Sequence, residues 1–193
     1  MYIENTKKGI RLNLLVPVGL FFLFLLNGFL STFVILLAAI VHECGHIALA
    51  ALCGVGIERF DIELWGGRMY YGGMNSYRKE LYISLGGIIA NLIFAPIGLI
   101  SVFGMYGKLF FCASVCYALV NIIPAKTLDG GEALRCMLNL GFDGEIAYAA
   151  QNAVNALSLM FLCAAGLVLA VLTGFNSSVL MLSVITVILV LEK

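Results

Sequence analysis

The chain of 193 residues holds two histidines, and both fall in one stretch of five: His42-Glu43-Cys44-Gly45-His46. Residues four apart on an α-helix share a face, one turn above each other. The two imidazoles can therefore converge on one Zn²⁺, and Glu43, one step round, is placed to take a proton from the attacking water as general base. The stretch lies inside a long apolar run. Ionisable side chains at membrane depth are costly, and where they occur they mark function. A chance match, with both histidines merely satisfied by hydrogen bonds, fits poorly where polar residues are so scarce.

Two histidines do not complete such a site. A catalytic zinc takes three protein ligands and leaves one position for water. No third histidine exists, so the remaining donor is a carboxylate or a thiolate. The acids after the fourth apolar run are Asp129, Glu132, Asp143 and Glu145. Asp129 closes the segment running from Asn121 through Pro124 to Leu128-Asp129-Gly130-Gly131. Pro124 breaks a helix and frees backbone groups, which membrane depth tolerates only where the chain is buried or lines a cavity. The paired glycines permit close approach. Glu132 is the rival, although its spacing also suits an i, i+3 pair with Arg135.

The elements that must position these residues follow from composition. At 62 % hydrophobic and 11 % charged, the sequence is that of a polytopic membrane protein rather than a soluble domain. Its net charge of zero gives no electrostatic case for nucleic acid. The six cysteines are scattered, with no CxxC, and read as small apolar packing residues; Cys44 is expected to point off the metal-binding face. A span needs about 20 mostly apolar residues, and six candidates emerge: about 10–27, 31–53 (carrying the histidines), 81–103, 108–123, 146–172 and 177–191. The basic residues before the first apolar run could mark a signal peptide. No small-x-small cleavage site follows, so a retained first helix is expected.

With a cytoplasmic N-terminus, Lys7, Lys8, Arg11, Arg59, Arg68, Arg78, Lys79, Lys126, Arg135 and Lys193 fall on the cytoplasmic side and only Lys108 outside, which orients the bundle with both termini cytoplasmic. The histidines and Asp129 then approach one depth, towards the cytoplasmic side. Between the second and third spans, Phe60, Ile62 and Leu64 alternate with Asp61 and Glu63, Trp65-Gly66-Gly67-Arg68 reads as a turn, and Met69-Tyr70-Tyr71 returns. This pattern predicts a membrane-associated β-hairpin. An exposed hairpin edge can accept an extended peptide as an added strand; an ordinary interfacial loop is the plainer alternative. The expected architecture is thus an all-α polytopic membrane protein with about six transmembrane helices and one small hairpin, forming a single domain over 1–193 with its core spans at about 31–135.

The HExxH motif at His42–His46 and the NxxPxxxLDGG motif at Asn121–Gly131 together resemble the site-2 protease family of intramembrane zinc metalloproteases. Gly86-Gly87 with Asn91 in the third span resembles that family's small-residue motif with an asparagine. The short six-span layout is most similar to the branch containing stage IV sporulation protein FB, although no CBS or PDZ domain is expected here. The resemblance implies one zinc per chain held by His42, His46 and Asp129, with Glu43 as catalytic acid/base. It implies substrate-binding roles for Asn121 and Asn91, and strand addition at the hairpin. It further implies a membrane-tethered protein substrate such as a pro-sigma or anti-sigma factor, a bacterial cell membrane location, and a membrane-protein inhibitor or homo-oligomer as further partners. The competing readings are a membrane metal transporter, a non-catalytic client-binding relative, and a different HExxH membrane protease with a glutamate as third ligand.

Overall fold

The structure is a computed structural model and describes residues 9–13, 15–63, 66–72 and 76–172. It contains strand β1 (Gly9–Leu12), helices α1 (Leu15–Asn27) and α2 (Phe29–Leu52), strands β2 (Ile57–Glu63) and β3 (Gly66–Tyr71), and helices α3 (Tyr77–Phe94), α4 (Gly104–Asn121), α5 (Asp129–Gly141) and α6 (Gly144–Leu172). The chain divides into two compact units, one ending at Val120 and the other beginning at Asn121.

In the first unit, α2 is an uninterrupted apolar run bracketed by Gly28 and Gly54, both at positive φ (75° and 65°). Its C-terminus closes as a Schellman turn. Val55 N–H donates to Ala50 O at 2.9 Å and Gly54 N–H to Ala51 O at 3.1 Å, while Val55 packs with Ala50 and Ile83. The packing of α2 is that of a membrane helix turned inside out relative to a soluble one. Thr32, Ala38, His42, Gly45, His46 and Ala50 are buried, whereas Leu30, Phe33, Leu37, Ile40 and Ile47 face outward. Helix α3 starts where Ser76 accepts from the Arg78 N–H and ends before Pro96, after which the chain continues as 3₁₀ turns (Ala95–Leu99 and Ser101–Phe103). Helices α2 and α3 meet at Gly45 and Gly86, where a Cβ on either residue would run into the other's backbone carbonyl. That contact brings the backbones as close as two helices can come.

Four helical segments among the described residues are long and apolar enough to cross a membrane: Phe29–Leu52, Tyr77–Leu99, Ser101–Asn121 and Gly144–Val168. The protein is therefore a multi-pass membrane protein, with six α-helices among the described residues and a hairpin between α2 and α3. Two details differ from the sequence expectation. The first span, expected over about 10–27, begins instead with strand β1, and α1 has 13 residues; at 1.5 Å per residue this covers about 20 Å, short of the roughly 30 Å hydrocarbon core. The sixth helix of the structure is α6, and an additional helix, α5, follows Asp129; the expected span at 177–191 lies outside the described residues.

The hairpin belongs to a three-stranded sheet in the order β1-β2-β3. β1 runs parallel to β2 (Gly9 opposite Arg59 through Leu12 opposite Ile62), and β3 runs antiparallel (Ile62 opposite Gly67, Glu63 opposite Gly66). β2 is thus the central strand, covered by β1 on one flank and β3 on the other, and β3 is one of the two edge strands. The alternation along β2 does not place Asp61 in solvent: it is 4 % exposed and paired with Arg59 at 3.0 Å.

In the second unit, α5 and α6 pack against each other. The segment before α5 folds back on the helix start. Leu128 N–H donates to Ala125 O at 2.9 Å, and Gly131 and Glu132 N–H donate to Leu128 O at 3.0 and 3.2 Å. A Cβ at Gly130 or Gly131 would strike the carbonyls of Ile122 and Ala125 respectively, so the glycine pair is what lets the turn close.

Candidate metal centre

Helical geometry delivers the two histidines together. His42 and His46 are 5 % and 7 % exposed, and their Nε2 atoms lie 3.2 Å apart. Two nitrogens each about 2.05 Å from a tetrahedral zinc stand roughly 3.4 Å apart, so the spacing is that of a pair of ligands. The far sides of both rings are engaged. His46 Nδ1 is 2.7 Å from the Ile83 carbonyl, which can only accept, so Nδ1 carries the proton and the Nε2 lone pair faces inward. His42 Nδ1 is 3.3 Å from the side-chain amide of Asn91, which is fully buried. Tyr117 from α4 closes another side, its ring centroid 6.0 Å from that of His42.

Gly87 leaves the room in which the two rings lie. A Cβ there would stand 2.5 Å from His46 Nε2, 2.5 Å from His42 Cε1 and 2.6 Å from His42 Nε2, overlapping both imidazoles. Any side chain at position 87 would displace the rings. Two buried imidazole nitrogens at this spacing fit a metal ion.

Glu43 projects to the sheet. Its Oε1 accepts from the Gly67 N–H at 2.9 Å. Ile62, opposite Gly67, gives its carbonyl to Asn13 on the β1 side (3.0 Å). A strand residue points its N–H and C=O to the same side, so Gly67 faces away from β2, along the outer edge of β3. Gly67 also has no room for a side chain: a Cβ would meet the Phe60 ring and come within 2.6 Å of Glu43 Oε2. Cys44 is exposed, on another face of α2 from the histidines.

The first unit therefore brings His42, Glu43, His46 and Asn91 together, and Asn91 lies behind His42. Asp129 and Asn121 belong to the second unit. Asp129 is the first residue of α5 and is half-buried, as is Asn121 at the end of α4. The segment leading to Asp129 is tied to α6: Lys126 N–H donates to Asn155 Oδ1 at 2.8 Å, Lys126 Nζ donates to Asn152 Oδ1 and lies 5.4 Å from the Tyr148 ring centre, and Gln151 Nε2 donates to Gly131 O at 3.4 Å. Glu132, the rival third ligand, accepts from Arg135, whose Nε–H is shared between its two carboxylate oxygens at 3.0 and 3.1 Å while Nη2 donates to Oε1 at 2.5 Å, the i, i+3 partnership its spacing allows. Sequence reasoning missed Gly87 and Gly67, as well as the Lys126 ties. The signal for Gly87 was present in its spacing, four residues before Asn91 on one helix face.

No family model matches the chain, and no curated protein does. Among solved structures, the site-2 protease from Methanocaldococcus jannaschii superposes with a TM-score of 0.67 over 100 % of this chain and 94 % of its own, at 18 % identity. The two share a fold over their whole length.

Proposed function

We propose that the chain is an intramembrane zinc metalloprotease of the site-2 type, which cleaves a peptide bond in or near a transmembrane segment of a membrane-tethered protein. The observation that carries this reading is the pair of buried imidazoles whose Nε2 atoms lie 3.2 Å apart, close to the spacing of two ligands on one zinc, with Glu43 next to His42 in sequence. The donor set of this proposal is His42, His46 and Asp129, two imidazoles and a carboxylate, of the kind catalytic zinc uses. When bound, zinc supplies Lewis acidity for the scissile carbonyl and lowers the pKa of water at the site.

The chain's own residues do the rest. A helical peptide bond is shielded by its own hydrogen bonds, so the substrate segment must unwind, and the open edge of β3 offers backbone groups to an extended strand. Glu43 takes a proton from the attacking water and returns it to the leaving amine. Asn121 is the candidate donor to the carbonyl oxygen as negative charge develops on it. The burial of the histidines excludes bulk water and strengthens these interactions. Positive charge places both termini, and the catalytic side, towards the cytoplasm. The finer proposal is the stage IV sporulation protein FB branch of that type, with a pro-sigma factor as substrate class; anti-sigma factors are the alternative of the same chemical kind.

Zinc per chain, measured on detergent-purified wild type, Glu43→Gln and Asp129→Ala, tests this reading without knowledge of the substrate. Near one zinc in the first two and clear loss in the third is expected. Full zinc in Asp129→Ala would move the third ligand elsewhere, and a folded wild type that takes no zinc would leave a client-binding protein as the better reading. Zinc uptake into proteoliposomes, absent for a protease, would identify a transporter.

A further inference from the structure

Asn91 is fully buried. One end of its amide lies 3.3 Å from His42 Nδ1, and its Oδ1 has no hydrogen-bond partner among the described residues. Turning the amide by 180° about its last bond exchanges oxygen and nitrogen at nearly equal volume. The two orientations have different consequences for the histidine pair. If the amide nitrogen faces His42, Nδ1 must accept, and the ring proton rests on Nε2. That proton then points at His46 Nε2 across 3.2 Å, and the pair hydrogen-bonds to itself. If the amide oxygen faces His42, Nδ1 holds the proton, and the two Nε2 atoms, 3.2 Å apart, both carry lone pairs that one metal ion can share. His46 has no such choice, because the Ile83 carbonyl fixes its proton on Nδ1.

We infer that Asn91 is a positioning residue for His42. Its side-chain oxygen accepts from His42 Nδ1–H and so selects the ring tautomer in which Nε2 carries the lone pair a metal ion needs. The inference rests on the metalloprotease reading and gives Asn91 a place behind the metal ligand rather than against substrate. A hydrogen bond from the non-ligating ring nitrogen to an acceptor orients the ring and raises its basicity, and loss of such a partner costs about 10–100-fold in metal affinity. What distinguishes this role from packing is chemical: it needs an acceptor at position 91, not merely a side chain of that size.

Asn91→Asp and Asn91→Leu change volume little and differ in this respect, since the first keeps an acceptor and the second has none. Zinc affinity of the full chain in detergent is read by competition with a chromophoric chelator, with helical content monitored by circular dichroism. The expected result is wild-type or tighter binding in Asn91→Asp and about 10–100-fold weaker binding in Asn91→Leu. Equal affinity in Asn91→Leu overturns the inference, since packing alone would then suffice. A tenfold or greater loss in Asn91→Asp overturns it too, and this arm decides the matter alone if Asn91→Leu does not fold. A wild type that binds no zinc removes the metalloprotease reading and this inference with it, whereas wild-type binding with indifferent variants removes only this inference.

Discussion

The histidine pair and the segment that carries Asp129 are built by opposite means. The pair sits on an unbroken helix, packed at Gly45 against Gly86, and its rings are fixed by a backbone carbonyl, a buried amide and the absence of a side chain at Gly87. Asp129 follows a stretch with no regular structure, where Pro124 interrupts the helix, two glycines let the chain double back, and side chains of α6 hold Lys126. The first region derives its geometry from helical repeat and close backbone packing, and the second from individual tethers. Damage to the first should therefore be all-or-none. Damage to the second should be graded, because one tether remains when another is lost.

The largest effect is expected from Gly87→Ala. The new methyl would overlap both imidazoles and push them out of place, so zinc per chain should fall to near zero and cleavage vanish while helical content stays near wild type. Zinc retained at wild-type level would break the account of the first region. Glu43→Gln comes next: cleavage of a membrane-tethered substrate should fall by about 10²–10⁴-fold, the usual contribution of a general base, with zinc retained. For the second region, Asn155→Leu removes one of the bonds to Lys126 and should lower the cleavage rate by about tenfold, less than the roughly 10²-fold a full ångström of misplacement can cost. A loss as complete as that of Gly87→Ala would show that the tethers are not redundant and would erase the contrast. The smallest effect is expected from Glu132→Ala. Its partly exposed pair with Arg135 is worth at most about 1 kcal/mol, and zinc content should not change. Zinc loss there would make Glu132 a ligand.

The same contrast governs what could be read from the sequence. Helix periodicity put His42 and His46 on one face and Cys44 on another, and hydropathy located α2, α3, α4 and α6, because these depend on local repeat. The hairpin was visible in the alternation around Phe60 and Ile62 and in the return at Met69–Tyr71, although Gly66 and Gly67, expected at the turn, lie in strand β3. Parallel pairing of β1 with β2 was not, because Gly9–Leu12 lies some fifty residues from its partner and reads as the start of an apolar span. Burial of Asp61 was hidden for a related reason: alternation says which residues share a face, and the neighbouring elements decide which face is covered. Glycine spacing marks a close approach without saying to what, so Gly87 could be read as packing and only the positions of the two imidazoles show what it makes room for. The ties from α6 to Lys126 join ordinary polar residues across some thirty positions, with no local pattern to reveal them.

An open sheet edge invites company, since its unpaired N–H groups will take any strand that offers carbonyls. In this protein the edge of β3 is closed at Gly67 by a carboxylate from a helix. One N–H has one proton to give, so a strand that pairs with β3 at this position must take it from Glu43. Whatever docks there alters the setting of that carboxylate by docking, and the exchange rate of the Gly67 amide hydrogen reports which of the two acceptors holds it.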